Sequence, residues 1–309
     1  MFNHLFSKGG LSLERMRGFM QMAEAGSISR AAPGDANRQS QISRQIRELE
    51  HFFGTKLTKR NGRMLTLSPA GQRLSQLIRG QLHDLEDFRK EQAEQPKSLV
   101  IGAAASVLDW LLVPVLPAIS TLLGNATLYT EVHRSRSLSD AVRDGRVDLA
   151  LIRKSAVAKG DPMAAVMKVG FHLCIPRRLL KRGTSQQDAS SPLVWQRLPF
   201  AAGRDGGEAD AAIRNSMKGV GVDFRPKFEC GSLLQVLKLV QLEACAAILP
   251  TVGIPSLDPK LVLVLPFTPM RTFDRTLVLH WNRRQMERRG IESGHLKRLA
   301  RLIATQRLP

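Results

Sequence analysis

Aromatic side chains are scarce in this chain: 12 phenylalanines, 3 tryptophans and 1 tyrosine make up 5% of 309 residues. A surface that stacks single-stranded bases on aromatic rings therefore has little to build on. Cysteine is scarcer still, at 3 residues, and Cys174, Cys230 and Cys245 show neither pairing nor metal-ligand spacing. They read as buried, inert thiols, because a redox switch needs an exposed thiol of low pKa. The 7 histidines fall in no HxH or HExxH pattern, so no metal site is expected. A Walker A loop is missing, as is a GxGxxG after a strand; the glycines around 203–207 and 219–221 read as turns. Ser293 stands one place off a nucleophile elbow, and no nucleophile, base and orienting group come together. The expectation is a protein with no cofactor and no enzymatic activity.

Two further shortages bound location and partners. The first ten residues lack a basic stretch and a long enough apolar core for a signal peptide. Residues 99–119 carry one charge, Asp109, but Gly102, Pro114 and Pro117 interrupt them, so they read as strand then helix rather than a membrane span. A cytoplasmic protein without a membrane partner is expected. Acidic residues number 27 against 46 basic ones, a net charge of +19 that suits a polyanion. The excess is spread out: residues 1–95 hold 15 basic and 10 acidic residues, the remainder 31 and 17.

What the chain does contain is a polar-faced helix over 38–54. Ile42, Ile46, Leu49 and Phe53 recur at three-and-four spacing and give it one apolar face. The opposite face offers Gln39, Ser40, Ser43, Arg44 and Arg47, and Gly54 is a natural stop. Arg forks onto guanine and Gln onto adenine in a major groove, although a solvated helix face has the same pattern. The flanks favour the groove. Leu13, Met16, Phe19, Met20 and Ala23 form a first helix between Ser12 and Gly26; Ser27 caps a short second one carrying Ser29 and Arg30. Helix, short helix, turn and polar-faced helix make a helix-turn-helix. Residues 56–60 and 63–67 then read as strands around an Asn61-Gly62 turn, a wing with Arg60 and Arg63 at its tip.

These residues resemble the LysR-type transcriptional regulators. The resemblance rests on Phe19, Ala23-Glu24-Ala25-Gly26-Ser27, Arg30-Ala31-Ala32, Gln39, Ile42-Ser43-Arg44-Gln45-Ile46, Leu49-Glu50, Gly54, Leu57, Arg60 and Leu67-Ser68-Pro69-Ala70-Gly71, without a gap over roughly 12–80. Pro33-Gly34 and Asp35 depart from the family pattern, and Arg38 stands where a capping Ser is usual, so Asn37 or Asp35 must cap. The resemblance implies a DNA-binding regulator in which Ser29, Arg30, Gln39, Ser40, Ser43, Arg44, Arg60 and Arg63 contact double-stranded DNA.

Ser68-Pro69 starts a long helix, expected over 68–95, with Leu74, Leu77, Ile78, Leu82, Leu85 and Phe88 along one stripe. Such a stripe wants a partner helix or a cover from its own chain. The family implies pairing into a homodimer or homotetramer, and leaves RNA polymerase open as a further partner. Gln95-Pro96 ends the helix, and from 97 strands and helices alternate, an α/β pattern of parallel sheet wrapped by helices. Leu112-Val-Pro-Val-Leu116, Asp144-Gly-Arg-Val-Asp-Leu-Ala150 and Ile248-Leu-Pro250 are similar to the family's effector domain of periplasmic-binding-protein type. Its two lobes are expected over 97–162 with 269–309, and over 163–268.

Ligands in such sheets sit at strand ends near helix starts. Ser106, Ser135, Ser137, Gly231 and Ser232 occupy those places, and each Ser reads equally as a helix cap. Arg134 and Arg136 beside them favour an anionic small-molecule effector. Two rival readings stay open: a second domain that only oligomerises, motivated by Ala244-Cys245-Ala246 in place of the family's Gly-x-Gly, and a solute-binding protein or enzyme on the same two-lobed fold.

Overall fold

Side-chain caps set the first three helices in the computed structural model, which describes residues 3, 5, 11–61, 64–204, 207–273 and 275–305. Helix α1 (Leu13–Ala25) starts where Ser12 Oγ accepts from Arg15 N and stops at Gly26, φ +76°. Helix α2 (Ile28–Ala31) is capped by Ser27 and lasts four residues, because Pro33-Gly34 turns the chain immediately after it. Helix α3 (Ala36–Phe53) begins two residues earlier than the motif suggested, since Asp35 is its cap, accepting from Arg38 N at 2.9 Å.

The wing pairs strand β1 (Thr58–Asn61) with β2 (Met64–Leu67), antiparallel. Asn61 pairs with Met64, so it belongs to the first strand rather than to the turn; Gly62 and Arg63 lie outside the described residues. Glu50 holds the wing's base, its carboxylate accepting from Leu57 N at 2.9 Å and Thr58 N at 3.1 Å. Helix α4 (Pro69–Gln92) opens on Ser68 and Pro69. Gly71 is required there: a Cβ would fall 2.0 Å from Leu57 O. Phe19, Met22, Ile42, Leu49 and Leu57, none more than 1% exposed, form the core of this head together with Ile78.

The chain divides into two compact units, residues 1–97 with 141–147, and 98–140 with 148–309. The second contains two five-stranded sheets. One orders β4 (Thr127–Val132), β3 (Ser98–Ala103), β5 (Leu149–Arg153), β12 (Thr276–Trp281) and β6 (Met163–Lys168). The other orders β11 (Val262–Pro266), β7 (Phe171–Pro176), β10 (Ala246–Pro250), β8 (Phe200–Gly203) and β9 (Phe228–Cys230). Both are mixed rather than parallel: β3 runs parallel to β4 and β5, but β12 is antiparallel to β5 and β6. In the other sheet β10 runs parallel to β8 and antiparallel to β7. The chain crosses between sheets twice, and the crossing strands enter against the parallel set.

Those crossings also move the expected lobe boundaries. Strand β6, expected in the second lobe, lies in the first sheet, whereas Met270 and Phe273 pack in the second lobe's core. The helices that position the site are α5 (Leu116–Leu122), α6 (Ser135–Arg143), α7 (Gln186–Ala189), α8 (Pro192–Trp195), α9 (Glu208–Gly219), α10 (Leu233–Gln241), α11 (Arg283–Arg288) and α12 (Ser293–Ala304). Residues 105–115 ahead of α5 form short helical turns of changing pitch, as Pro114 and Pro117 each lack an N–H. The whole run Ala105–Leu122 is long and apolar enough to cross a membrane, but Leu111, Leu112 and Ile119 are at most 1% exposed, in the protein core.

A buried ion pair fastens the first sheet. Asp148 accepts from Val100 N, Gln285 Nε2 and Arg289 Nη1, each at 2.7 Å. Arg289 also donates to Ser98 O, so β3 and the segment around α11 meet at the carboxylate that leads into β5.

Candidate DNA-reading face and effector cavity

Helix α3 turns Ile42, Ile46 and Leu49 into the head's core and leaves Ser40 and Arg44 exposed, with Gln39 and Ser43 half-buried. Gln39 is not free: its Nε2 donates to Ala32 O at 2.7 Å, fixing the carboxamide against the turn made by Pro33-Gly34. Arg44 Nε sits 3.2 Å from Glu48 Oε1, and Arg15 donates to the other oxygen of the same carboxylate. Hydrogen bonds from Arg15 first, then Arg44, hold the Glu48 carboxyl below the usual carboxylate range. Arg44 nonetheless keeps 78% of its side chain exposed, so its fork stays available. Arg38, unassigned by sequence, ties the helix pair by donating to Gln41 and Gln21, each at 2.7 Å.

On α2, Ser29 is exposed and Arg30 folds back, its Nε 3.3 Å from Ser27 Oγ. Arg60 is exposed on β1. Arg63, the other wing arginine expected at DNA, lies outside the described residues.

Leu77, Leu82, Leu85 and Phe88 of α4 are 38–61% exposed. Ile78, expected on the same free stripe, is instead 5% exposed in the head's own core. It stands about 100° round the helix from Leu77, which is enough to face inward.

In the second unit, a cavity of about 200 Å³ lies between the two sheets. Ser106, Ser135, Gly231 and Ser232 all line it; Ser137 does not, being exposed elsewhere on α6. As helix caps these residues differ. Ser232 is a cap, accepting from Gln235 N at 3.4 Å, and Gly231 N donates to Gln235 Oε1 at 3.0 Å. Ser135 Oγ accepts from Arg153 N at 3.4 Å. Ser106 caps nothing: its helical turn begins at Ala104, and its hydroxyl, on a residue 7% exposed, finds no hydrogen-bond partner among the described residues. A hydroxyl on a cavity wall that caps no helix is a ready ligand contact.

Of the charged lining, the sequence pointed to Arg134 but not to Arg153, Glu208, Asp210 or Arg275. Arg153, at the carboxyl end of β5, makes an ion pair with Glu208 at the start of α9, from one lobe to the other. Burial first, then Arg136, push its guanidinium below its ordinary value. Arg134, Arg275 and Asp210 also line the cavity, and Arg275 stacks 5.6 Å over the Phe171 ring. The position of Arg153 just after a strand was the available signal; Glu208 and Asp210 gave none, lying on a helix without a motif.

Comparison with known proteins fits both units. The family pattern described as LysR substrate binding domain matches residues 92–293, and that of the bacterial regulatory helix-turn-helix protein, lysR family, matches residues 13–72. A probable nitrogen assimilation transcriptional activator of Synechococcus elongatus is 25% identical over 82% of this chain and 84% of its own. A probable RuBisCO transcriptional regulator of Cyanophora paradoxa is 32% identical, over 46% of this chain and 45% of its own. The match thus spans about half the length of some relatives and most of others. Among solved structures, a full-length OxyR variant from Pseudomonas aeruginosa superposes with a TM-score of 0.62 at 20% identity, covering 96% of this chain and 97% of that one. CbnR, a LysR family transcriptional regulator, gives 0.55 at 17% identity, covering 94% and 100%. A family pattern covering well over half the sequence, a helix-turn-helix head and a two-sheet domain around a cavity agree: the chain belongs to the LysR family of transcriptional regulators.

Proposed function

We propose that α3 enters the major groove of an operator, with Gln39, Ser40, Ser43 and Arg44 toward the bases. Ser29 and Arg30 of α2 then meet the backbone, and the wing arginines Arg60 and Arg63 the backbone or adjacent minor groove. The observation that carries this is the division of α3 between a buried apolar face and an outward face holding Ser40 and a 78% exposed Arg44. Mapping the protein's binding sites along the genome tests it: a shared sequence under the bound regions supports specific reading, and uniform occupancy contradicts it. Such a protein works in the cytoplasm, without catalysis. The exposed Leu77, Leu82, Leu85 and Phe88 pair two copies through α4.

The second unit binds a small effector in the cavity lined by Ser106, Ser135, Gly231 and Ser232. This favours regulation by ligand over a purely oligomeric role. A thermal-shift screen against a broad metabolite library decides it, with hits required to vanish in a Ser106→Trp variant that fills the cavity. A redox switch on cysteine is not favoured. Burial pushes the Cys174 thiol up to about 12 and Cys245 up to about 11; Cys230, half-buried rather than buried as expected, is also held above its ordinary value by desolvation, so none of the three is favoured as a thiolate.

A further inference from the structure

The cavity's charges come in both signs, and that selects its ligand. Among the described lining residues Arg134, Arg153 and Arg275 are positive, and Glu208 and Asp210 negative. Glu208 is spoken for by Arg153 across the cleft. Asp210 holds Arg214 at 3.3 Å through one carboxylate oxygen, while the other is buried with no hydrogen-bond partner among the described residues. The rest of the lining is largely apolar, including Phe171, Phe224, Ile213 and Val236.

A plain anion entering this space is drawn to the arginines but crowds two carboxylates; a plain cation does the reverse. Either leaves a charge poorly compensated in a part-buried site, which is costly. A zwitterion inserted into the Arg153–Glu208 pair gives each of them a new partner and leaves the net charge of the site unchanged. We infer that the effector is a small zwitterion with an apolar side chain, of α-amino-acid type. Its carboxylate takes Arg153 and the unpartnered Ser106 hydroxyl, and its ammonium takes Glu208 and the vacant oxygen of Asp210. The start of α10 at Ser232, which lines the same cavity, adds the positive end of a helix. A volume of about 200 Å³ suits a molecule of this size. Because Arg153 and Glu208 belong to opposite lobes, replacing their direct contact by a bridging molecule also resets the lobe spacing, which couples binding to conformation.

This inference rests on the effector reading above and can fail separately from it. The probes are the apolar α-amino acids from alanine to phenylalanine, each beside its deaminated acid and its decarboxylated amine. They are titrated into the full-length protein by calorimetry. The expected result is saturable binding of at least one amino acid, with both of its half-molecules at least about 100-fold weaker. That preference follows from the unpaired buried groups each half-molecule leaves behind. Asp210→Asn should narrow the gap between the amino acid and its deaminated acid about tenfold, and Arg153→Gln the gap between the amino acid and its amine. A deaminated acid that binds as tightly as its amino acid overturns the zwitterion and leaves a plain-anion effector standing. An amine that binds equally overturns it in the other direction. If no compound in the three series binds, the inference falls, and the metabolite screen alone then decides whether the cavity takes any effector.

Discussion

Ser106→Ala and Ser232→Ala look alike in sequence and should behave oppositely in stability. Ser232 caps α10 through Gln235 N, so its loss should cost about 1 kcal/mol. Ser106 is 7% exposed, caps nothing and has no partner among the described residues. A buried hydroxyl without a hydrogen bond costs about 1–3 kcal/mol. The cavity beside Ser106 admits solvent and recovers part of that cost, so its removal should stabilise the unliganded protein by roughly 0–1 kcal/mol. For a domain of this size about 1 kcal/mol moves Tm by roughly 2–4 °C. Thermal unfolding of the two variants without ligand should therefore separate them, Ser232→Ala melting lower and Ser106→Ala no lower than wild type. Ser106→Ala should still lose the response to any effector found. A Ser106→Ala variant that melts several degrees early with its response intact would show that the serine is structural, and the cavity's ligand contacts would have to be reassigned.

Leu85→Asp with Phe88→Asp should halve the mass seen by light scattering while far-UV circular dichroism stays unchanged, because both side chains are exposed in the protomer; unchanged mass refutes pairing through α4. Ile78 is unsuitable for that test, since its substitution would damage the head's core. Arg289→Met strands the Asp148 carboxylate at 2% exposure and should lower unfolding stability by about 3–5 kcal/mol, read from the urea midpoint. The Glu48 carboxyl is depressed in the folded protein by Arg15 and Arg44, so its contribution is present above the unfolded value of about 4.3 and lost as pH falls through the lower folded value. Glu48→Gln should accordingly differ in stability from wild type near neutrality and converge with it in acid; parallel pH profiles contradict the assignment.

The head was legible because its signals are local. Ser12, Ser27 and Ser68 cap helices as expected, and Gly26 and Gly54 stop them, since a cap needs only its own N–H partners three residues on. The departure at Pro33-Gly34 was also readable, and Asp35 supplies the missing cap. Ile78 sits inside rather than on the free stripe because periodicity names a face but not which neighbour covers it. The effector domain was harder. Strand β6 lacks alternation and pairs with β12, more than a hundred residues away, so no local pattern assigned it to the first sheet. Sequence separation also hid the Arg153–Glu208 pair, whose members lie 55 residues apart on separate lobes. One rule, strand end followed by helix start, picked out five positions; four of them line the cavity, and Ser137 does not because it is exposed elsewhere on α6.

Helix α3, in the proposed function, reads sequence rather than merely gripping phosphate. The most direct test is the affinity of wild type and Arg44→Ala for the genomic operator and for random DNA of equal length, at one fixed salt concentration. Reading by Arg44 predicts a loss of about 1–3 kcal/mol on the operator, roughly 5- to 150-fold, with much less on random DNA and a relaxed base preference at one position. Equal weakening on both DNAs would contradict it and reduce Arg44 to a backbone contact.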